Sequence, residues 1–213
     1  MFKAVIFDFD GVIADTMTDN CVSWQSALAQ QDILIEPLEY YLLEGMGRFQ
    51  IADFFIEKYG LDVSLRQVIA SAKEEKYAEI NNFRIYNEIE LILKYLRAKS
   101  IKIGLVTGAS RSRIKTCLNE VFLDYFDYTV TADDVINSKP DPEPYLKALA
   151  KLDIIAEETI VVENAQLGIR SAKAAACTCY AIETTLDKSY LSESDEIFKN
   201  HSDLFQKFKI LLG

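Results

Sequence analysis

The chain has 213 residues and a formal net charge of −10, from 23 Lys and Arg against 33 Asp and Glu. That balance excludes nucleic acid as the main partner, because a phosphate backbone calls for clustered cations. Half of the residues are hydrophobic, with 12 Phe and 11 Tyr, so a sizeable core is available and disorder is not expected, and the length suits one domain with an insertion or one domain and a small companion.

The first predicted element is a strand. The apolar run Ala4-Val5-Ile6, followed by Phe7-Asp8-Phe9-Asp10-Gly11-Val12-Ile13-Ala14-Asp15-Thr16, reads as a strand buried on both faces. It delivers two carboxylates at its C-terminal end, where open parallel sheets bind ligands. Asp8 and Asp10 lie two positions apart and share one side while the chain stays extended, and Gly11 then lets the backbone turn away. So placed, Asp8 can attack phosphorus, Asp10 can protonate a leaving oxygen and later deprotonate water, and both can help hold a hard cation. The same residues also suit the start of a turn, since Asp-Gly pairs are common turn formers. No basic region, apolar stretch and small-residue cleavage site precede the strand, and no apolar run approaches 18 residues. A cytoplasmic location and no membrane partner are therefore expected.

Residues 17–81 then change character, with amphipathic helices predicted over 20–30, 36–44, 48–59 and 65–80. Breaks fall at 32–37, at Gly45 and Gly47, and at 60–64. A helical block inserted after the first strand of an α/β core is what a lid over the strand ends would look like. From residue 88 helix and strand alternate: helices over 88–100, 111–122, 142–152 and 166–176, and strands over 101–107, 126–131, 159–163 and 177–182. A short edge strand at 197–198 and a helix over 203–211 close the chain. This alternation implies βαβ units, hence a doubly wound parallel sheet of the α/β class. The expected division is a core of 1–16 and 82–213 and a helical cap of 17–81. Cys177 and Cys179 alternate within an apolar strand with no second Cys or His cluster, and read as buried small side chains. His201, the only histidine, reads as a surface residue near the C-terminus.

In a parallel sheet the C-terminal strand ends share one edge, so Asp8 and Asp10, Thr107 and Gly108, and Glu163 and Asn164 are expected in a single crevice. Thr107-Gly108 before a helix supplies a hydroxyl, backbone N–H groups and a helix N-terminus, which suits phosphate oxygens, although taken alone it reads first as a plain helix cap. Lys139, in the loop Ser138-Lys139-Pro140-Asp141-Pro142, can offset the charge of a nucleophile and a phosphate, or simply face solvent.

Taken in order, these segments resemble the four motifs of the haloacid dehalogenase superfamily, from Asp8-Phe9-Asp10-Gly11-Val12-Ile13 with Asp15-Thr16, through Thr107 and Lys139-Pro140-x-Pro142, to Glu163-Asn164-x-x-x-Gly168. The fourth departs from the pattern. Close relatives end this strand in two acids that hold magnesium, whereas Asn164 keeps an oxygen but loses a charge.

The resemblance implies a Rossmann-like core with an inserted helical cap, and a Mg2+-dependent phosphomonoesterase acting on a small organic phosphate. In that family the first Asp is the nucleophile that forms an aspartyl-phosphate, and the second is the acid/base. Carried over, Asp8 and Asp10 are catalytic, Thr107, Gly108 and Lys139 bind phosphate, and Asp8, Asp10, Glu163 and Asn164 hold the metal. In the β-phosphoglucomutase-like branch, cap residues matching Trp24, Arg48 and Lys73 contact substrate, so the resemblance points to a sugar phosphate. Each also has a plain reading as core filler, helix-start residue or charged surface. Asp15 either meets a substrate hydroxyl or caps the first cap helix.

A phosphosugar mutase is the alternative reading. The cap-hinge histidine that helps gate such mutases is matched here by Asn20, which cannot shuttle a proton, so a phosphatase is expected. A second alternative is a module that binds phosphate or metal without turnover. The expected assembly is a monomer.

Overall fold

In the computed structural model, which describes residues 2–213, six strands form one sheet: β1 Ala4–Phe7, β2 Lys102–Val106, β3 Tyr128–Val130, β4 Thr159–Glu163, β5 Thr178–Ile182 and β6 Glu196–Phe198. Their order is β3-β2-β1-β4-β5-β6 and every pairing is parallel. Phe7 lies opposite Leu105 on one side and Val162 on the other, so the ends of β1, β2 and β4 come level. Strand order reverses at β1, and an open parallel sheet has its crevice at such a point, outside the strands' carboxyl ends.

Alternation along each strand divides the core between two faces. Val5, Phe7, Leu105, Ile160 and Val162 pack under α5 (Ile89–Ala98) and α10 (His201–Leu212), through Ile92, Leu96, Leu204 and Phe208. Ile6, Val106, Val161 and Cys179 pack under α8 (Glu143–Leu152) and α9 (Gln166–Ala174), through Tyr145, Leu149, Ile169 and Ala172. With helices on both faces the sheet is a doubly wound Rossmann-type core, and nearly continuous apolar strands are what burial on both sides demands.

Between β1 and α5 the chain forms α1 Met17–Ala29, α2 Pro37–Tyr41, α3 Arg48–Tyr59 and α4 Arg66–Ile80. These helices bury a separate apolar cluster that includes Trp24, Leu28, Phe55, Ile56 and Ile69. The two crossings to the sheet run side by side. Asp15 N–H donates to the Arg84 carbonyl at 2.8 Å and Tyr86 N–H to the Ile13 carbonyl at 3.1 Å.

Three local expectations change. The helix expected over 36–44 ends at Tyr41, because the following backbone bonds tighten, Leu43 N–H reaching Tyr40 O and Glu44 N–H reaching Tyr41 O, and Gly45 turns at φ 104°. The single helix expected over 111–122 is two, α6 Arg111–Cys117 and α7 Glu120–Leu123. Leu118 is extended there, and the Asn119 side chain accepts from Phe122 N–H at 2.9 Å to start α7. His201 is buried rather than at the surface. It opens α10, stacks on Tyr86 at 4.4 Å and bonds the Val12 carbonyl through Nε2 at 2.7 Å, so this helix holds the turn after β1. Among the described residues no helix is long and apolar enough to cross a membrane.

Candidate active site

At the end of β1 the chain turns through Gly11, which has φ 79° and lies so close to the β4 end that a Cβ there would sit 2.1 Å from Asn164 Nδ2. Any side chain at residue 11 would therefore be both strained and in collision. Asp8 and Asp10, on either side of this bend, are each only 5 % exposed.

Below the bend lies a buried ion cluster. Lys139 Nζ donates to Asp8 Oδ1 at 2.5 Å and to Glu163 Oε1 at 2.6 Å, and Tyr145 Oη donates to the same Glu163 oxygen at 2.6 Å. Lys139 is 2 % exposed, which removes the solvent-facing reading of this loop residue. Burial alone would pull its ammonium down, but Asp8 and Glu163 outweigh it and hold the pKa above the ordinary lysine range. Burial pushes the Asp8 carboxyl well up, the Lys139 ammonium opposing and Glu163 and Asp10 adding to the rise. A charge-assisted contact of this length favours the carboxylate, the form a nucleophile requires. Gly168 makes room for the cluster, since a Cβ there would fall 2.0 Å from Glu163 Oε1.

Asp10 is held by a second set of groups. Its Oδ1 accepts from Thr16 Oγ1 at 2.5 Å, from Asn20 Nδ2 at 3.3 Å and from Arg113 Nη2 at 2.5 Å, while Arg113 Nη1 reaches Oδ2 at 3.3 Å. Arg113 Nη2 also bonds Tyr77 Oη of α4 at 2.9 Å, and its guanidinium lies over that ring at 4.4 Å. Asn20 in turn accepts from Lys73 Nζ at 2.9 Å, and Lys73 pairs with Glu74 at 2.9 Å. Burial, and then the neighbouring Arg113, lower the Lys73 ammonium from its ordinary value.

Sequence reasoning did not single out Arg113, Tyr77, Glu44 or Tyr145. For Arg113 a signal existed, because a helix that starts at a strand end directs its first turn over the crevice. Nothing in the pattern separates Arg113 from Arg111, whose guanidinium instead pairs with Asp134 on the surface.

Thr107 Oγ1 accepts from Ala109 N–H at 3.0 Å, and it is Ser110 that caps α6 by accepting from Arg113 N–H at 3.3 Å. The plain cap reading of Thr107 thus passes to Ser110. Asp15 faces the crossing strands, near Arg84 at 3.6 Å and Tyr86 Oη at 3.5 Å, and the N-cap position of α1 is Thr16.

A cavity of about 260 Å³ lies where the helical segment meets the strand ends. Trp24, Arg48 and Lys73 are on its wall, with Tyr40 and Glu44 beside them and Asp10, Gly108, Ser110 and Arg113 facing them from the sheet side. Trp24 also fills the helical core against Tyr40 and Phe55. The turn 45–47 closes on the core. A Cβ on Gly108 would be 3.3 Å from the Met46 carbonyl, and Gly47 N–H donates to Ser138 Oγ at 3.2 Å.

A hard cation at this edge needs oxygen donors. Asn164 is fully buried, its Nδ2 donates to Thr185 Oγ1 at 3.1 Å, and its Oδ1 has no hydrogen-bond partner among the described residues. An orphaned carbonyl oxygen at the strand end next to Asp8 fits such a cation. Glu163 does not stand ready in the same way, for Lys139 and Tyr145 hold Oε1, and Oε2 accepts from Asn164 N–H at 3.1 Å. Among the described residues no three His, Cys, Asp or Glu side chains converge as a cation site. The donors that fit are thus the Asp8 carboxylate, Asn164 Oδ1 and a main-chain oxygen of the Asp10 turn. Asn164→Asp should then lower the Mg2+ concentration for half-maximal activity by roughly tenfold, since ligand charge sets affinity. Titration calorimetry with Mg2+ checks the same point without turnover, and equal affinities in the two proteins would remove residue 164 from the donor set.

Residues 5–182 match the family model for haloacid dehalogenase-like hydrolases. The chain is 28 % identical over 209 residues, 96 % of each protein, to the validoxylamine A 7'-phosphate phosphatase of Streptomyces hygroscopicus subsp. limoneus. Identity is also 28 % over 175 residues, 81 % of each protein, to a phosphorylated carbohydrates phosphatase of Thermotoga maritima. A crystal structure of β-phosphoglucomutase from Clostridium difficile superposes with a TM-score of 0.79 at 25 % identity, covering 99 % of this chain and 100 % of that one. Because the family match runs from β1 to β5, it takes in every strand whose end supplies the ion clusters, and on that span the chain belongs to the haloacid dehalogenase-like hydrolase family.

Proposed function

We propose that the protein is a phosphomonoesterase that hydrolyses small organic phosphates, sugar phosphates among them, through an aspartyl-phosphate on Asp8. The observation that carries this reading is the Lys139 ammonium set between Asp8 and Glu163 at 2.5 and 2.6 Å, at the switch point of the sheet. An ammonium so placed keeps Asp8 ionised for in-line attack and offsets the charge that gathers on the transferring phosphoryl group. Thr107 and Gly108 border the same point and offer a hydroxyl and a backbone N–H to phosphate oxygens. Asp10, fixed by Thr16, Asn20 and Arg113, serves the departing alcohol and then the attacking water. Bound Mg2+, held by Asp8, Asn164 and the Asp10 turn, would supply charge neutralisation on the phosphoryl oxygens. The helices of 17–80 act as a cap, with Trp24, Arg48 and Lys73 on the substrate side.

Transfer to water rather than to a second sugar hydroxyl is favoured by Asn20. Its amide bridges Asp10 and Lys73 and does not titrate near neutral pH, so it cannot act as an acid or base there.

With Mg2+ the protein should release inorganic phosphate from 4-nitrophenyl phosphate, and a chelator should abolish the release. From sugar phosphates the phosphate released should equal the substrate lost. Conversion of β-glucose 1-phosphate to glucose 6-phosphate with little phosphate freed would replace this reading with a mutase. Mg2+ binding with no turnover of any phosphomonoester would replace it with a binding module.

A further inference from the structure

The cavity wall contributed by the helices carries both signs of charge, but not evenly paired. Arg113 is committed to Asp10 and Tyr77, and Lys73 to Glu74 and Asn20. Arg48 is exposed, its guanidinium stacked on Phe49 at 4.9 Å, and it acts with Lys73 and Arg113 to hold the Glu74 carboxyl below its usual range against the cost of burial. Glu44 is different. It lines the cavity at the end of the α2 turn, and its hydrogen-bond partner is a phenol, Tyr40 Oη, which donates to Oε2 at 2.5 Å. Tyr40 is itself buried and packed on Trp24, so the carboxylate is fixed in direction. One oxygen is used by Tyr40, and no hydrogen bond from a described residue falls on the other.

A fixed acceptor of this kind treats two classes of leaving group oppositely. A hydroxyl donates to it. A carboxylate or a second phosphate meets a like charge in a site of low effective dielectric, which weakens its binding.

We propose that Glu44 is the specificity-determining residue of this cavity, admitting phosphomonoesters whose remote group is a neutral hydroxyl and turning away those whose remote group is a carboxylate or phosphate. The inference deepens the phosphatase reading above and rests on it.

The charged and titratable groups around Glu44 are Tyr40 from α2, Lys73 from α4, Arg113 from α6 and Asp10 from the β1 end. Burial and then Asp10 push the Glu44 carboxyl up to about 7, with Tyr40, Arg113 and Lys73 opposing the rise. Glu44 is therefore neutral below that pH and anionic above it. Discrimination against an anionic leaving group should be weak at pH 6 and grow as pH rises through 7.

The test compares kcat/KM for two substrates of nearly equal size, 2-hydroxyethyl phosphate and phosphoglycolate, which differ in a remote hydroxyl or carboxylate. The wild-type protein should prefer the hydroxyl substrate, and the preference should widen about tenfold between pH 6 and pH 8.5, the factor that corresponds to ~1.4 kcal/mol. Any difference between the two substrates in the second ionisation of phosphate is the same for wild type and Glu44→Gln and cancels when their ratios are compared. Glu44→Gln should remove the pH dependence of that ratio and raise relative phosphoglycolate turnover about tenfold at pH 8. Tyr40→Phe keeps the carboxylate but removes the phenol that fixes its direction, and should narrow the preference for the hydroxyl without abolishing it. A flat wild-type ratio, or one that Glu44→Gln leaves unchanged while both substrates still turn over, overturns the inference and leaves the phosphatase reading intact. If wild-type protein hydrolyses neither these substrates nor 4-nitrophenyl phosphate, the phosphatase reading itself has failed.

Discussion

Asp8→Asn is expected to reduce Mg2+-dependent hydrolysis of 4-nitrophenyl phosphate by about 10⁴-fold or more, the scale on which covalent catalysts lose turnover when their nucleophile is removed. The fold should survive this change. Asn is nearly isosteric with Asp, the ordinary carboxylate at this place already bears the cost of burial, and Lys139 keeps its 2.6 Å contact to Glu163. A change in unfolding free energy within about 1 kcal/mol is expected, as for substitutions that open no cavity and strand no charge. Acid quenching during turnover gives the independent readout, since an acid-stable, base-labile phosphoenzyme should form on the wild-type chain and not on the variant. Undiminished turnover, checked against contaminating phosphatase, would take the nucleophile assignment away from Asp8.

Lys139→Met should cost both activity and stability. The thioether fits the space of the lysine stem, but it leaves the Asp8 and Glu163 carboxyls, at 5 % and 1 % exposure, facing each other without a cation. Breaking a buried pair by removing one partner costs about 3–5 kcal/mol. The sign of the pH dependence follows. With Lys139 gone, the one strong influence lowering the Asp8 pKa is lost, while burial and Glu163 still raise it. A carboxyl whose folded pKa lies above its unfolded value stabilises most in acid and less as pH rises through the folded pKa. Urea unfolding of Lys139→Met should therefore show its largest deficit against wild type at neutral and alkaline pH, and the smallest near pH 4. Adding Glu163→Gln should recover much of the stability, because it removes the like charge that faces Asp8. It should not recover turnover, which is expected to stay down by about 10²–10³-fold for want of the cation beside the transferring phosphoryl group. Equal stability of Lys139→Met and wild type across that range would mean that the ion cluster is not structural.

What could be read along the chain was whatever depends on neighbours in sequence. The period-2 and continuous apolar runs located the strands, and the 3.6-residue period located the helices of 17–80. Because parallel strands all end on one edge, the sequence alone places Asp8, Asp10, Thr107 and Glu163 at a common crevice. Boundaries were weaker, as at 118–119. There the apolar pattern continues through Leu118 and Phe122, but Asn119 turns its side chain back to cap a new helix.

The rest depends on pairs far apart in sequence, which no local period encodes. Arg113 reaches Asp10 across 103 residues, Lys139 reaches Asp8 across 131, and His201 reaches the Val12 carbonyl across 189. Which oxygens of Glu163 are free was likewise decided by Tyr145 and Lys139 arriving from the α8 side, so a residue that reads as a cation ligand becomes the partner of an ammonium. The residue types at the strand ends thus set what chemistry is possible. Only the packing of helices onto the sheet sets which carboxylates are paired, which carbonyl is left without a donor, and which acid, Glu44, faces the cavity with a phenol for company, because burial and charge neighbours exist only once distant segments are brought together.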